Sequence, residues 1–164
     1  SFRAKAPGLI NVNPLLLREF NNRWFLIGTK EREQRINSFA LDRIKSITYP
    51  ELPFIPMPAF DPEKYYEHVV GVTVNNRRVT NVRVKLTRQH APYVLTKPLH
   101  RSQQTEEVFE DGSAIVSIRV IPNFELERLL LGFGPGLEVL APRGLRRRIA
   151  GLLQGASAQY DEKE

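Results

Sequence analysis

The chain has 164 residues, 41% apolar and 26% charged, which is enough for one ordinary globular domain or two small ones. It contains no cysteine, so a disulfide framework and thiolate metal sites are excluded. No apolar run approaches the roughly 18–20 residues that a membrane helix needs, and Ser1-Phe2-Arg3-Ala4 has no signal-peptide pattern. A cytoplasmic location is therefore expected. The net charge of +6 favours acidic partners such as nucleic acid or nucleotides. An arginine-rich solvated surface is the alternative reading of the same charge.

Proline divides the chain. Pro50, Pro53, Pro56, Pro58 and Pro62 crowd one segment, which suits neither a helix interior nor a central strand. It reads as a linker over 49–62, between an N-terminal unit, 1–48, and a C-terminal unit, 63–164. In the first unit Ile10 to Phe20 is apolar and ends at Asn21-Asn22, a two-residue turn whose asparagines tolerate positive φ. Arg23 to Gly28 returns as a second strand. The polar run Lys30 to Arg35 turns again, and Ile36 to Leu41 gives a third strand, closed by Asp42-Arg43-Ile44. Short antiparallel strands with little helix suggest a small barrel. About 48 residues are thin for a barrel with its own core, so the expectation is a barrel that lacks its first strand.

Asp61 and Pro62 are suited to the N-cap and N1 positions of a short helix. Val82, Val84 and Leu86 then alternate with Arg83 and Lys85, the pattern of a half-buried strand. Glu110-Asp111-Gly112 reads as a turn between Thr105–Phe109 and Ala114–Ile121. Asn123 caps a helix that carries Leu126, Leu129, Leu130 and Phe133 at i, i+3, i+4 and i+7, and Gly132 and Gly134 end it. Leu137 to Leu140 is a last strand. Pro142 begins a final helix with Leu145, Ile149, Leu152, Leu153 and Tyr160 on one face. Strand, short helix, hairpin, helix, strand and helix suggest a ferredoxin-like sandwich with an added helix, hence an α+β fold class. The acidic tail, 161–164, reads as disordered.

Catalytic patterns are missing. His68, His90 and His100 are not spaced as helical zinc ligands. No nucleophile elbow and no Walker loop occurs. Gly132-Phe133-Gly134-Pro135-Gly136 follows a helix and precedes a strand, the reverse of a dinucleotide site, and reads as a helix end. Glu106-Glu107 and Glu125/Glu127 read as solvated surface. No enzyme activity, cofactor or metal is expected.

The segment of most individuality is Arg23-Trp24-Phe25-Leu26, which holds the only tryptophan. Strand parity puts Trp24 and Leu26 on one face and Arg23 and Phe25 on the other. Trp24 and Leu26 are expected to hold the barrel core, leaving Arg23 and Phe25 to meet a ligand.

Asn13 to Gly28 (NPLLLREFNNRWFLIG), followed by Phe39-Ala40-Leu41-Asp42-Arg43-Ile44, resembles the WYL domain of bacterial transcriptional regulators. Downstream, Gly71 to Val74, Thr96 to Gln103, Pro122 to Glu127 and Leu137 to Pro142 resemble the WCX extension that follows such domains. The resemblance implies an Sm- or SH3-like barrel, an N-terminal winged helix-turn-helix outside this chain, and a homodimer. It also implies a nucleic-acid-like or other anionic effector on the barrel, controlling promoter binding by the N-terminal domain. Carried onto this sequence, the effector-binding residues are Ser1, Arg3, Arg18, Arg23, Phe25 and Arg43. Phe25 departs from the family's tyrosine and loses a hydroxyl. Asn37 and Ala40 stand where many members carry arginine.

Each candidate also has a plainer reading. Arg43 could pair with Asp42 or a neighbouring carboxylate, and Arg18 and Arg23 could simply be solvated beside a turn. His100, Ser102 and Gln103 concentrate donors in a loop and form a possible second site, with capping as the alternative. Arg143, Arg146 and Arg147, with Arg148, crowd a helix start, where cations oppose the dipole unless an anion or carboxylate is near. An anionic partner at this end is the corresponding expectation. The leading function is ligand sensing and dimerisation in a transcriptional regulator. The alternative is a general nucleic-acid-binding module that uses its basic surface.

Overall fold

The computed structural model describes residues 8–31, 33, 35–49, 51–57 and 59–160. The tail expected to be disordered, 161–164, lies outside the described residues, as do Ser1 and Arg3. The fold is α+β with two antiparallel sheets, and the chain divides into two compact units between Tyr65 and Tyr66.

In the first unit, β1 (Val12–Phe20), β2 (Arg23–Lys30) and β3 (Ile36–Ala40) pair antiparallel in the order β1-β2-β3. The β1–β2 turn forms because Asn21 and Asn22 both adopt positive φ, 51° and 60°, which asparagine accepts at low cost. Glu19 Oε1 accepts the Asn22 backbone N–H at 2.5 Å and steadies it. The β1–β2 register shifts between Pro14 and Leu16, and this bulge presses the Asn13 carbonyl toward Gly28. Asn13 also grips the later chain: its Nδ2 donates to the Ile55 carbonyl at 2.7 Å and its Oδ1 accepts the Ile55 N–H at 3.0 Å. One side-chain amide thereby fixes part of the proline-rich segment against β1. Three strands make an open sheet, and no closed barrel forms among the described residues. A short helix α1 (Pro62–Tyr65) belongs to this unit. Asp61 Oδ1 accepts the N–H groups of Glu63 and Lys64, as its N-cap position requires.

In the second unit, β4 (Thr80–Leu86), β5 (Gln104–Val108), β6 (Ala114–Val120) and β7 (Leu137–Ala141) form a sheet of order β5-β6-β4-β7. Helix α2 (Ala91–Thr96) follows β4, and α3 (Phe124–Leu131) follows β6. Helix α4 (Arg143–Ser157) closes the chain. Alternation puts Val82, Val84 and Leu86 of β4 on one face with Val116, Ile118 and Val120 of β6, all essentially fully buried. Val94, Leu126, Leu130, Leu145 and Ile149 of the three helices complete the core. Each such side chain stabilises the fold by roughly 1.5–3 kcal/mol.

Asn123 caps α3 and ties it down. Its Oδ1 accepts the Leu126 N–H at 2.8 Å, while its Nδ2 donates to the carbonyls of Val70 and Thr73 at 2.8 and 2.9 Å. Gly132 ends α3, its N–H bonded to the Arg128 carbonyl. Gly136 passes so close to the His90 ring that any side chain there would overlap it.

Helix α4 departs from the sequence reading. Leu145 and Ile149 are buried, but Leu152 and Leu153 are exposed, and Tyr160 lies beyond the helix end, exposed as well. Only the first half of the expected apolar face has core to meet. Glu127 is a second correction: it is 5% exposed instead of solvated, and Arg148 Nε reaches it at 2.5 Å.

Candidate functional site

The first sheet arranges its candidate residues by register. Arg18 lies opposite Phe25 on the neighbouring strand, and Phe25 lies opposite Ala40. Phe20 lies opposite Arg23, and Leu16 opposite Ile27. Directly opposed residues share a sheet face. One face therefore carries Arg18, Phe20, Arg23 and Phe25, two guanidinium groups interleaved with two phenyl rings. Ala40 adds no bulk beside Phe25, while Asn37, opposite Gly28, falls on the other face and donates to the Arg35 carbonyl.

The burial along β2 reverses one expectation. Ile27 and Thr29, which share Phe25's parity, are buried, whereas Trp24 is 51% exposed. Trp24 is thus not the core anchor, and the face of Phe25 is the one that the fold covers farther along the strand. Arg18, Phe20 and Phe25 are half-buried at the end of that face nearest the Asn-Asn turn.

Arg23 Nη2 lies 3.2 Å from Asp42 Oδ2, both side chains about half exposed, so the pair contributes at most about 1 kcal/mol. Asp42 therefore pairs with Arg23. It sits in the 3-10 turn Leu41–Arg43 that follows β3, and the pairing holds this turn beside the start of β2. Arg43 is exposed at the end of the turn. The structure thus brings Arg18, Arg23 and Phe25 together on one face and sets Arg43 on the adjoining turn. Phe20 was missed from the sequence. A two-residue turn at Asn21-Asn22 already dictates that Phe20 opposes Arg23, so the signal was available.

The loop candidates are held internally. Gln103 donates to the Val94 carbonyl at 2.9 Å and accepts the Leu99 N–H at 2.9 Å. Ser102 Oγ accepts the Arg119 N–H at 2.8 Å and lies 3.3 Å from its carbonyl. Nδ1 of His100 accepts the Ser102 N–H at 3.2 Å and lies 2.8 Å from Ser102 Oγ. Ser102 is tied to the backbone of β6. An accepting Nδ1 assigns the neutral ring with its proton on Nε2.

Burial, then Arg101 and His68, pull the His100 proton affinity below that of a free histidine. A lowered folded value means that the unfolded chain takes up the proton first, so this contribution is complete above about pH 6.5 and fades as pH falls below it. Melting at pH 5.5 is expected below melting at pH 7.5, and His100→Asn, which keeps an acceptor but does not titrate, is expected to narrow the gap. An unchanged gap in that variant would remove His100 from the explanation.

The arginines of α4 divide into two kinds. Arg146 Nη1 reaches Glu138 and the Val139 carbonyl, each at 2.6 Å. Arg148 reaches Glu127. Carboxylates thus supply the compensation that the helix start requires. Arg143 and Arg147 are exposed, with no hydrogen-bond or ion-pair partner for their side chains among the described residues. On the sheet, Arg83 is bridged to Glu106 at 2.7 Å. Among the described residues no group of three acidic, histidine or cysteine side chains could hold a metal ion, and no helix is long and apolar enough to cross a membrane.

Compared with known proteins, residues 1–49 match the WYL domain and residues 78–157 match the WCX domain. No curated protein matches the chain in sequence. Among solved structures the chain is similar to proteasome accessory factor B/C (PafBC) of Arthrobacter aurescens, at 20% identity and a TM-score of 0.43. That likeness covers 93% of this chain and 23% of the other, so the chain spans about a quarter of its neighbour's length.

Proposed function

Because the chain belongs to the WYL–WCX family, we propose that it is the ligand-sensing and dimerising region of a cytoplasmic bacterial transcriptional regulator, without catalytic activity of its own. Its effector is nucleic-acid-like or otherwise anionic, and it acts on a DNA-binding domain outside this chain. The observation that carries the reading is the face of β1 and β2 on which Arg18 and Arg23 alternate with Phe20 and Phe25. Guanidinium groups meet phosphate or carboxylate, and phenyl rings stack on bases. Arg43, on the adjoining turn, belongs to the same site, as do Ser1 and Arg3 by family resemblance. The first sheet is read as part of an Sm- or SH3-like barrel. The second unit is read as a ferredoxin-like sandwich, which its strand–helix–strand–strand–helix–strand order supports.

Control requires that effector binds one arrangement of the dimer better than another. The reading fails if the full-length regulator has the same promoter affinity with and without every anionic effector tested. On this chain, Arg18→Ala and Arg23→Ala are each expected to weaken a fluorescently labelled single-stranded oligonucleotide about tenfold in an anisotropy titration. Arg147→Ala is expected to leave affinity unchanged. Equal losses in all three variants would favour a general nucleic-acid-binding surface. Against that alternative stands the pairing of Arg83 and Arg146 with carboxylates, which lowers the charge open to phosphates.

A further inference from the structure

We infer that the second unit carries its own binding site for a small oxyanion, a carboxylate or phosphate group, in the cleft between the 73–77 loop, the start of α3 and the middle of α4. The cleft has a volume of about 170 Å³, and Asn75, Arg77, Phe124, Glu127 and Arg148 line it. Two arginines thus line it from separate stretches of chain.

Glu127 explains how one of them is held. Its side chain is 6% exposed, and a carboxylate at that depth needs a cation. Arg148 supplies it through Nε at 2.5 Å. Bonding through Nε occupies one edge of the guanidinium and leaves both terminal nitrogens for a ligand. The Glu127 carboxylate also raises the proton affinity of Arg148 further, so it stays cationic.

Arg77 is held differently. Asn75 Nδ2 donates to the Pro122 carbonyl at 3.0 Å, and Asn75 Oδ1 accepts the Arg77 backbone N–H at 2.8 Å. The loop is anchored while the Arg77 guanidinium has no hydrogen-bond or ion-pair partner among the described residues. Within the lining Arg148 is matched by Glu127, and the neighbouring Glu125 carboxylate accepts the hydroxyl of Thr73, another lining residue, at 2.6 Å; the Arg77 guanidinium is the cation left to meet an oxyanion. Charge-assisted bonds from two guanidinium groups are the strong kind. The volume admits a carboxylate or phosphate group with a few further atoms, and it excludes a nucleic-acid duplex.

The test is a titration of the 164-residue chain with inorganic phosphate, and separately with acetate, at constant ionic strength. Backbone amide NMR shifts at Asn75, Arg77 and Phe124 are followed. Saturable shifts at these residues are expected with at least one anion, and the anion that produces them names the class. Arg77→Ala is expected to weaken that binding about tenfold without lowering the melting temperature, because it removes no intramolecular bond. Arg147→Ala, an exposed arginine on the same helix as Arg148, is expected to bind as the unaltered chain does. Absence of saturable shifts with both anions, or equal shifts in Arg77→Ala, would overturn the assignment.

Discussion

Asn123→Ala is expected to lower the stability of the second unit by about 2–4 kcal/mol, and the melting temperature by roughly 10–20 °C. Two losses add. Helix α3 loses the acceptor for the Leu126 N–H, worth about 1 kcal/mol. The Val70 and Thr73 carbonyls lose their donor, and leaving such a group buried without a partner costs about 1–3 kcal/mol. Asn123→Asp separates the two. Aspartate caps a helix as well as asparagine does, but its carboxylate cannot donate to the carbonyls. Thermal unfolding followed by circular dichroism should therefore show both variants destabilised. If the Asn123→Asp protein melts with the parent, the residue's role reduces to capping alone.

Gly28→Ala is the second large effect, and it falls on the first unit. An added Cβ would overlap the Asn13 carbonyl oxygen and crowd a Val12 methyl group. The obstacle is backbone, so the strand must move, at a cost of about 1–3 kcal/mol. That movement would reach the face that carries Arg18 and Phe25, since the same β1–β2 pairing sets their register. Trp24, the only tryptophan, lies on β2, and its emission reports the unfolding of this unit. Its denaturant midpoint is expected to fall. Gly151→Ala provides the contrast: nothing lies within 4 Å of a Cβ there, and the site is inside α4. Alanine is expected to stabilise that helix by up to about 1 kcal/mol. The same substitution then has opposite signs at the two glycines. A Gly28→Ala midpoint equal to the parent's would mean that the bulge relaxes freely.

The sequence by itself determined what neighbours along the chain decide. Asn21-Asn22 made a hairpin because two adjacent residues tolerate positive φ. Asp61-Pro62 and Asn123 started helices because cap and N–H lie within a few residues of each other. The alternation of Val82, Val84 and Leu86 placed a strand with its buried face correctly. Family membership was legible for a related reason, since ordered local motifs carry it.

Tertiary structure alone decided which face of β2 is covered. Parity groups Trp24 with Leu26 and Arg23 with Phe25, but burial belongs to whatever packs on the sheet, and Ile27 and Thr29 show that Phe25's side was chosen. The partners of the arginines were hidden for the same reason. Arg23 meets Asp42, beyond the next strand, and Arg148 meets Glu127, 21 residues back. The cleft between Arg77 and Arg148 joins segments farther apart still. Local rules act through covalent adjacency and so appear in the sequence. A charge's partner and a strand's covered face depend on how distant segments come together, and only the folded chain fixes that.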